Sequence, residues 1–422
     1  MVLFYAVLIP FALAGLALMN AGLGRSRNAA HAMASALCAA GVAIVVYVAC
    51  GFSLQEYAAA APVSAQGPMS WAWSGKQALF LRSVRFDGAP NTTGPALAAL
   101  LGMFSVALAA LIPLGSGGER WRLGGICAST AVTAGLVYPL FAHWAWGGGW
   151  LARLGEGAGF GRGFVDAGGS ASIQALGGLT ALSIAWILGP RRGKFATDGM
   201  PAAIPGHNVV FTLVGCFLAL VGWMGINGAG AILYAGVWQP ALVAIDTVLS
   251  AAAAALAAAL LTRMRYGKPD ASLSANGWVS GLVASSASCA FAPPAAALLI
   301  GLVAGGLVTL SVEWLELRLH VDDPGGAVSV HAVAGIWGVL AVGLFDHLEG
   351  SSGSGQWLAQ VAGIATLLGF VLPVAYGANW ALDRVFKMRV SPEGERQGLD
   401  LHELGANAYP ELAGHIEDFT QR

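Results

Sequence analysis

Charge is what this sequence has least of. Lys, Arg, Asp and Glu make up 10% of its 422 residues, where a soluble globular domain carries about 25%. So little charge cannot cover a water-facing globular surface, which excludes the soluble classes. The formal net charge of -1 leaves no basic field for nucleic acid. Cysteine is also sparse: Cys38, Cys50, Cys127, Cys216 and Cys289 show no CxxC spacing and lie in or beside apolar runs. That argues against a disulfide framework or a zinc site and for small buried hydrophobes. No short-period repeat is visible. The segments outside the apolar runs hold no nucleophile–base pair and no metal cluster, so an enzyme is not expected. No charged stretch precedes the first apolar run and no clear cleavage site follows it, so it reads as a retained first helix, with a signal peptide as the alternative.

What is abundant is apolar length. Hydrophobic residues reach 57% and mean hydropathy is +0.69. The 59 glycines lie inside the apolar runs with alanine and serine, a composition that suits closely packed transmembrane helices. A helix needs about 20 residues to cross the hydrocarbon core. Eleven runs approach that: 2–23, 30–52, 95–114, 123–145, 167–189, 207–230, 234–262, 276–292, 294–315, 327–346 and 357–383. The eighth is short and ends at "APP" (292–294), so it is expected to be tilted or broken. The predicted fold class is an all-α polytopic membrane protein with about eleven transmembrane helices. Basic residues cluster after odd-numbered runs, at Arg25 and Arg27, Arg120 and Arg122, Arg191, Arg192 and Lys194, Arg263, Arg265 and Lys268, and Arg384, Lys387 and Arg389. Those loops should be cytoplasmic, with the amino terminus outside and the carboxyl terminus inside. The long loop 52–94 is then external despite Lys76, Arg82 and Arg85.

Two stretches rhyme across the halves: "DAGGSASIQALGG" (166–178) and "DDPGGAVSVHAVAGIWG" (322–338). Each has an acidic head, a glycine pair and then one polar side chain in an apolar helix. On the analogy of transporters with inverted halves, Gln174 and His331 should face each other near mid-membrane. Asp166 reads either as a helix N-cap or as a charge that fixes a pore electrostatically. Eight residues place it about 12 Å above Gln174 along a helix. His331 reads as a hydrogen-bonded packing residue or, because intramembrane ionisable groups face cavities, as a pore-lining one. His143 and His347 lie nearer membrane edges, and His207 reads as an interface or capping residue. The aromatics of "YPLFAHWAWGGGW" (138–150) form an interfacial belt or offer an indole face to a cation.

Taken together these segments resemble the Amt/Mep/Rh ammonium transporter family across nearly the whole chain. "MNAGLGRSRNAAHAM" resembles its first cytoplasmic loop, "AHWAWGGG" its fourth helix with the outer tryptophan at Trp146, and "DAGGSASIQALGGLTALSIAWILGPRRGKF" its fifth helix. "DDPGGAVSVHAVAGIWG" resembles the tenth-helix histidine signature, and "GERQGLDLHELGANAYP" the cytoplasmic tail. The resemblance implies the ammonium-transporter fold, a homotrimer embedded in lipid, one narrow apolar pore per subunit and a multi-pass position in the cell (inner) membrane. It divides the chain into a transmembrane part, 1–383, and a tail, 384–422, that could couple to a cytoplasmic partner; PII-type nitrogen regulators bind many members of the family. The tail's Leu399, Leu401, Leu404, Tyr409 and Leu412 suggest that it packs on the membrane part.

The departures from the pattern are informative. The first of two pore histidines falls on Gln174 and the second is kept as His331. In "GWMGINGAG" (222–230) the lower gate phenylalanine is Ile226 and the ammonium-recruiting serine is Gly230, while Trp223 and Asn227 match supporting positions. The upper gate phenylalanine corresponds to Phe104. No cofactor is implied. Glutamine hydrogen-bonds but does not titrate near neutral pH, so a relay between two imidazoles is not expected. Three readings follow: an ammonium or ammonia channel with an altered pore, a channel for another small neutral molecule such as carbon dioxide, and a non-transporting sensor acting through its tail.

Overall fold

The structure is a computed structural model that describes residues 1–58, 72–345 and 355–410. Ten helices among them are long and apolar enough to cross a membrane: α1 (Val2–Leu23), α2 (Ser26–Gln55), α3 (Thr92–Gly117), α4 (Leu123–Trp146), α5 (Ser170–Leu188), α6 (Val209–Leu233), α7 (Pro240–Tyr266), and, after a shorter helix α8 (Ala271–Ser285), α9 (Pro294–Leu319), α10 (Val328–Phe345) and α11 (Gly355–Val385). The helix starts follow local chemistry. Asn208 caps α6 by accepting from Phe211 N at 3.0 Å, and Asp270 caps α8 by accepting from Leu273 N at 2.7 Å. Proline opens α7 and α9 where no intrahelical donor is needed.

The eighth apolar run is where the helix count departs from expectation. It is helical only as far as Ser285, the end of the 15-residue α8. The chain then leaves the helix, and Pro293 heads the next one. The freed carbonyls are not left bare in an apolar interior: Ser286 O accepts from Gly168 N at 2.7 Å and Ala287 O from Ala167 N at 3.2 Å. Broken backbone is tolerated at membrane depth only when other protein groups take over its hydrogen bonds. Here the segment leading into α5 does so.

Small residues bring the helices into backbone contact. A Cβ on Gly222 of α6 would lie 2.1 Å from Ala12 N of α1, and one on Gly305 of α9 would lie 2.1 Å from Ala254 O of α7. Without a hydrophobic force between helices in lipid, such close packing supplies much of the attraction.

The loops on the basic face are tied by a buried ionic cluster. Arg120, fully buried, donates to Gly189 O (2.7 Å), Gly118 O (3.1 Å) and Asp322 O (2.8 Å). Arg191 grips both Asp322 oxygens at 2.9 Å and reaches Glu119 at 3.3 Å, and Arg25 also pairs with Glu119. Burial pushes the Asp322 carboxyl up, but Arg191 and Arg120 more than offset it and hold it below the usual range. Burial in turn lowers Arg120 to about 10.

The tail lies on this same face. Asp400 on the short helix α13, which follows α12 (Pro392–Gln397) and spans Leu399–Leu404, accepts from Ala30 N (3.1 Å) and His31 N (2.7 Å) at the start of α2. Asn28 Oδ1 accepts from Leu399 N at 2.9 Å, Glu395 from Arg192 N at 2.7 Å, and Tyr409 meets His207 Nε2 at 2.9 Å. The leucine stripe contributes less than its pattern suggests. Leu399 is buried, Leu401 is 43% exposed, and Leu412 lies outside the described residues. The free N–H groups at a helix start need acceptors, and the tail provides them.

Candidate functional site: two polar residues at the crossing of α5 and α10

The heads of α5 and α10 are built alike. Gly169 (φ 90°) and Gly326 (φ 69°) take the left-handed conformation that turns the chain into each helix. Asp166 accepts from Ala171 N (3.2 Å), Ser172 N (2.8 Å) and Ser172 Oγ (2.8 Å). Asp323 accepts from Ala327 N (3.0 Å), Val328 N (2.8 Å) and Ser116 Oγ (2.6 Å). Each helix then opens with a widened π turn, Ser170–Ala175 and Val328–Val333, in which Gln174 N reaches back five residues to Gly169 O at 3.0 Å. Such turns recur at functional sites because they redirect a side chain out of the regular helical register. Sequence reading singled out Asp166 by number but not Asp323, Ser116 or Ser172. The signal available was the second aspartate of "DDPGG", placed like Asp166 ahead of a glycine and a helix.

The two helices cross reciprocally. A Cβ on Gly178, four residues after Gln174, would lie 2.2 Å from Ala332 N, beside His331. One on Gly335, four residues after His331, would lie 2.7 Å from Ser170 O and 3.0 Å from Ala175 N, beside Gln174. This crossing brings Gln174 Oε1 to 2.8 Å from His331 Nδ1. Gln174 is fully buried and His331 is 4% exposed. With Oε1 as the acceptor, Nδ1 would carry the ring proton and Nε2 would present a lone pair. The amide Nε2 of Gln174 has no partner, leaving its two N–H donors in an apolar interior. His331 and Val330 line a small pocket that also touches Asn20, Leu23 and Gly325. Those three residues also line a second pocket, which reaches Glu119 of the basic face.

The remaining sequence-derived residues gather elsewhere. Trp146 donates its indole N–H to Asp166 O at 2.8 Å and stacks on Tyr234, with centroids 4.3 Å apart and planes 2° from parallel. Gly230 is pressed against the same segment: a Cβ there would lie 2.2 Å from Ala167 O. The place of a serine side chain is therefore taken by backbone, not left vacant. Asn227 donates to Thr247 Oγ1 at 2.9 Å, and its Oδ1 sits beside Gly168. Trp223 is fully buried and Ile226 is buried in the main core. Phe104 is half-buried on α3. His143 meets Gln55 O (2.9 Å) and Ala72 O (3.2 Å), and His347 lies outside the described residues. Tyr234 is a further residue that sequence reading missed; its only signal was an aromatic one helical turn beyond Gly230.

The family model of the Ammonium Transporter Family matches residues 1–409. Ammonium transporter Amt2 of Archaeoglobus fulgidus is 36% identical over 425 residues, covering 96% of this chain and 86% of that protein. The ammonium transporter of Bacillus subtilis is 30% identical over 420 residues, covering 96% of each. Among solved structures, one described as "Sensor Amt Protein" superposes with a TM-score of 0.85 at 27% identity, covering 95% of this chain and 96% of that one. Candida albicans Mep2 shares the fold at a TM-score of 0.79 and 24% identity, covering 93% of this chain and 86% of its own. With its helices, its paired helix heads and these relatives in agreement, the chain is an integral multi-pass membrane protein that belongs to the ammonium transporter family.

Proposed function

We propose that this chain passes ammonia, drawn from ammonium, through a pore within its own protomer and moves little steady charge in doing so. The observation that carries the reading is the 2.8 Å contact between Gln174 Oε1 and His331 Nδ1. An ammonium ion entering an apolar passage loses its hydration at large cost, so the neutral form is the one that crosses. His331 Nε2 would accept an N–H from ammonia, and the unpartnered Gln174 amide would donate to its lone pair. Only His331 of the two can hold a proton. A proton cannot be handed from imidazole to amide, so the pair binds the neutral species without relaying charge. Ile226 in place of a flat ring would leave the constriction shaped by an aliphatic side chain.

The test is a set of gradients on proteoliposomes. Ammonium addition should alkalinise the lumen while giving little sustained current, and Gln174→His should raise the current. A robust ammonium current from the unmodified chain would refute the reading. Methylammonium and carbon dioxide gradients run in parallel identify another neutral substrate if ammonium alone gives nothing. The pore-per-protomer arrangement goes with a homotrimer, measured by native mass in mild detergent.

A second reading, that the chain senses ammonium and signals through the tail 384–422, is favoured by the likeness to "Sensor Amt Protein" and by the docking of Asp400 on the start of α2. With the basic face cytoplasmic, a PII-type regulator would reach this tail. The sensor reading gains if all three fluxes are absent while ammonium alters amide-exchange protection over residues 390–410.

A further inference from the structure

We infer that Tyr234 sets the selectivity of the entrance near Trp146 by occupying the indole face that would otherwise attract a cation. The inference rests on the reading of the Trp146 indole as a face offered to a cation and adds a residue outside the sequence pattern. The stack is close to parallel, with planes 2° apart and centroids 4.3 Å apart. A cation needs the open face of a ring to feel its quadrupole, and here the phenol ring covers one face of the indole. The indole edge is committed too, because Nε1 donates to Asp166 O at 2.8 Å. Trp146 as a whole is 7% exposed.

The hydroxyl half of a recruiting site is closed by the same device. Tyr234 N bonds to Gly230 O at 2.8 Å, so the ring stands one turn beyond Gly230. At Gly230, Ala167 O fills the space of any side chain. Protein atoms thus occupy both places that would hold ammonium, the ring face and the hydroxyl. The buried Tyr234 OH faces the Gln55 side chain, whose Oε1 accepts from Tyr47 OH at 2.7 Å. Tyr234→Phe removes that hydroxyl while keeping the ring over the indole, so it separates the hydroxyl from the block. A neutral molecule has no need of the ring face and is not disfavoured in this way.

The test is calorimetric binding of ammonium chloride and methylammonium chloride to the full chain in detergent, against potassium chloride at equal ionic strength. The unmodified protein and Tyr234→Phe should show no saturable binding in the millimolar range. Tyr234→Ala and Tyr234→Leu should gain saturable binding by about tenfold or more, the size of one desolvated cation–ring contact. Tyr234→Leu keeps most of the buried volume, so it remains informative if the alanine variant folds poorly. The inference is overturned if the unmodified chain binds saturably and the ring-removing variants bind less, since Tyr234 would then be the recruiter. It is also overturned if folded Tyr234→Leu gains nothing. A sustained ammonium current from unmodified proteoliposomes, together with binding gained by Tyr234→Leu, would sink the neutral-passage reading and leave this one standing.

Discussion

Asp166 and Asp323 stand in the same posture at the heads of α5 and α10, yet their surroundings differ. Each caps backbone N–H groups and one serine hydroxyl. Asp166 is buried with the Trp146 indole on its carbonyl. Asp323 adjoins the ionic cluster of the basic face. Burial raises the Asp323 carboxyl against the pull of Ser116, Val328 and Ala327, while its neighbour Asp322 is drawn below the usual range. Eight residues further along each helix the likeness breaks again, into Gln174 and His331. The frame that holds the pair is common to both halves, whereas the ability to titrate belongs to one side chain on one half. Chemistry at this crossing can therefore change by single substitutions without rebuilding the frame.

That equivalence can be broken most strongly at the caps. Asp166→Ala strands two backbone N–H groups and a serine hydroxyl in a buried place and should cost about 3 kcal/mol or more. Asp323→Ala should cost a similar amount, read as lost thermal stability in detergent. A loss at one position only would show that the likeness is superficial. The crossing glycines come next. Gly178→Ala, with a Cβ 2.2 Å from Ala332 N, should destabilise by about 2–3 kcal/mol. Gly335→Ala, where the nearest atom is Ser170 O at 2.7 Å, should cost less. Equal melting shifts for the two would contradict the asymmetry in their spacing.

Gly230→Ser sharpens the comparison at the Asp166 end. A family pattern suggests that it would restore a recruiting hydroxyl. The 2.2 Å approach of Ala167 O instead predicts a loss of about 1–3 kcal/mol and no gain in ammonium binding by calorimetry. Gln174→His, at a fully buried position, should cost about 1 kcal/mol, because the imidazole can keep a contact to His331, while altering charge movement. The mildest effect is acid sensitivity at the Asp323 end. Asp322 has a folded pKa below its unfolded one, so its contribution is full above about pH 4 and fades as the pH falls through the lower folded value. Melting temperature followed from pH 5 to pH 3 should fall more for the unmodified chain than for Asp322→Asn.

Much of this was legible in the sequence because membrane helices must satisfy their backbone internally, which makes apolar length a strong signal. The meeting of Gln174 with His331 was legible because a repeated acid–glycine–polar pattern places each one at the same depth. The break in the eighth run was only hinted at by "APP". Its length was set by Gly168 and Ala167, more than a hundred residues away, which take the hydrogen bonds that the helix gives up. The tail was read from its leucines, yet Leu401 is exposed and the contacts at its centre are the Asp400 caps on Ala30 N and His31 N. A capping carboxylate has no periodic signature when its helix lies elsewhere in the chain.

By itself the sequence determined the membrane class, the order of the helices and the identity of the two polar residues at the crossing. These depend on local hydropathy and on short motifs. The tertiary structure alone decided that Gly230 holds backbone where a side chain would sit, that Tyr234 covers Trp146, and that a second aspartate mirrors Asp166. Each is a contact between segments far apart in the chain, set by how closely the helices approach, and no local pattern of residues encodes that distance.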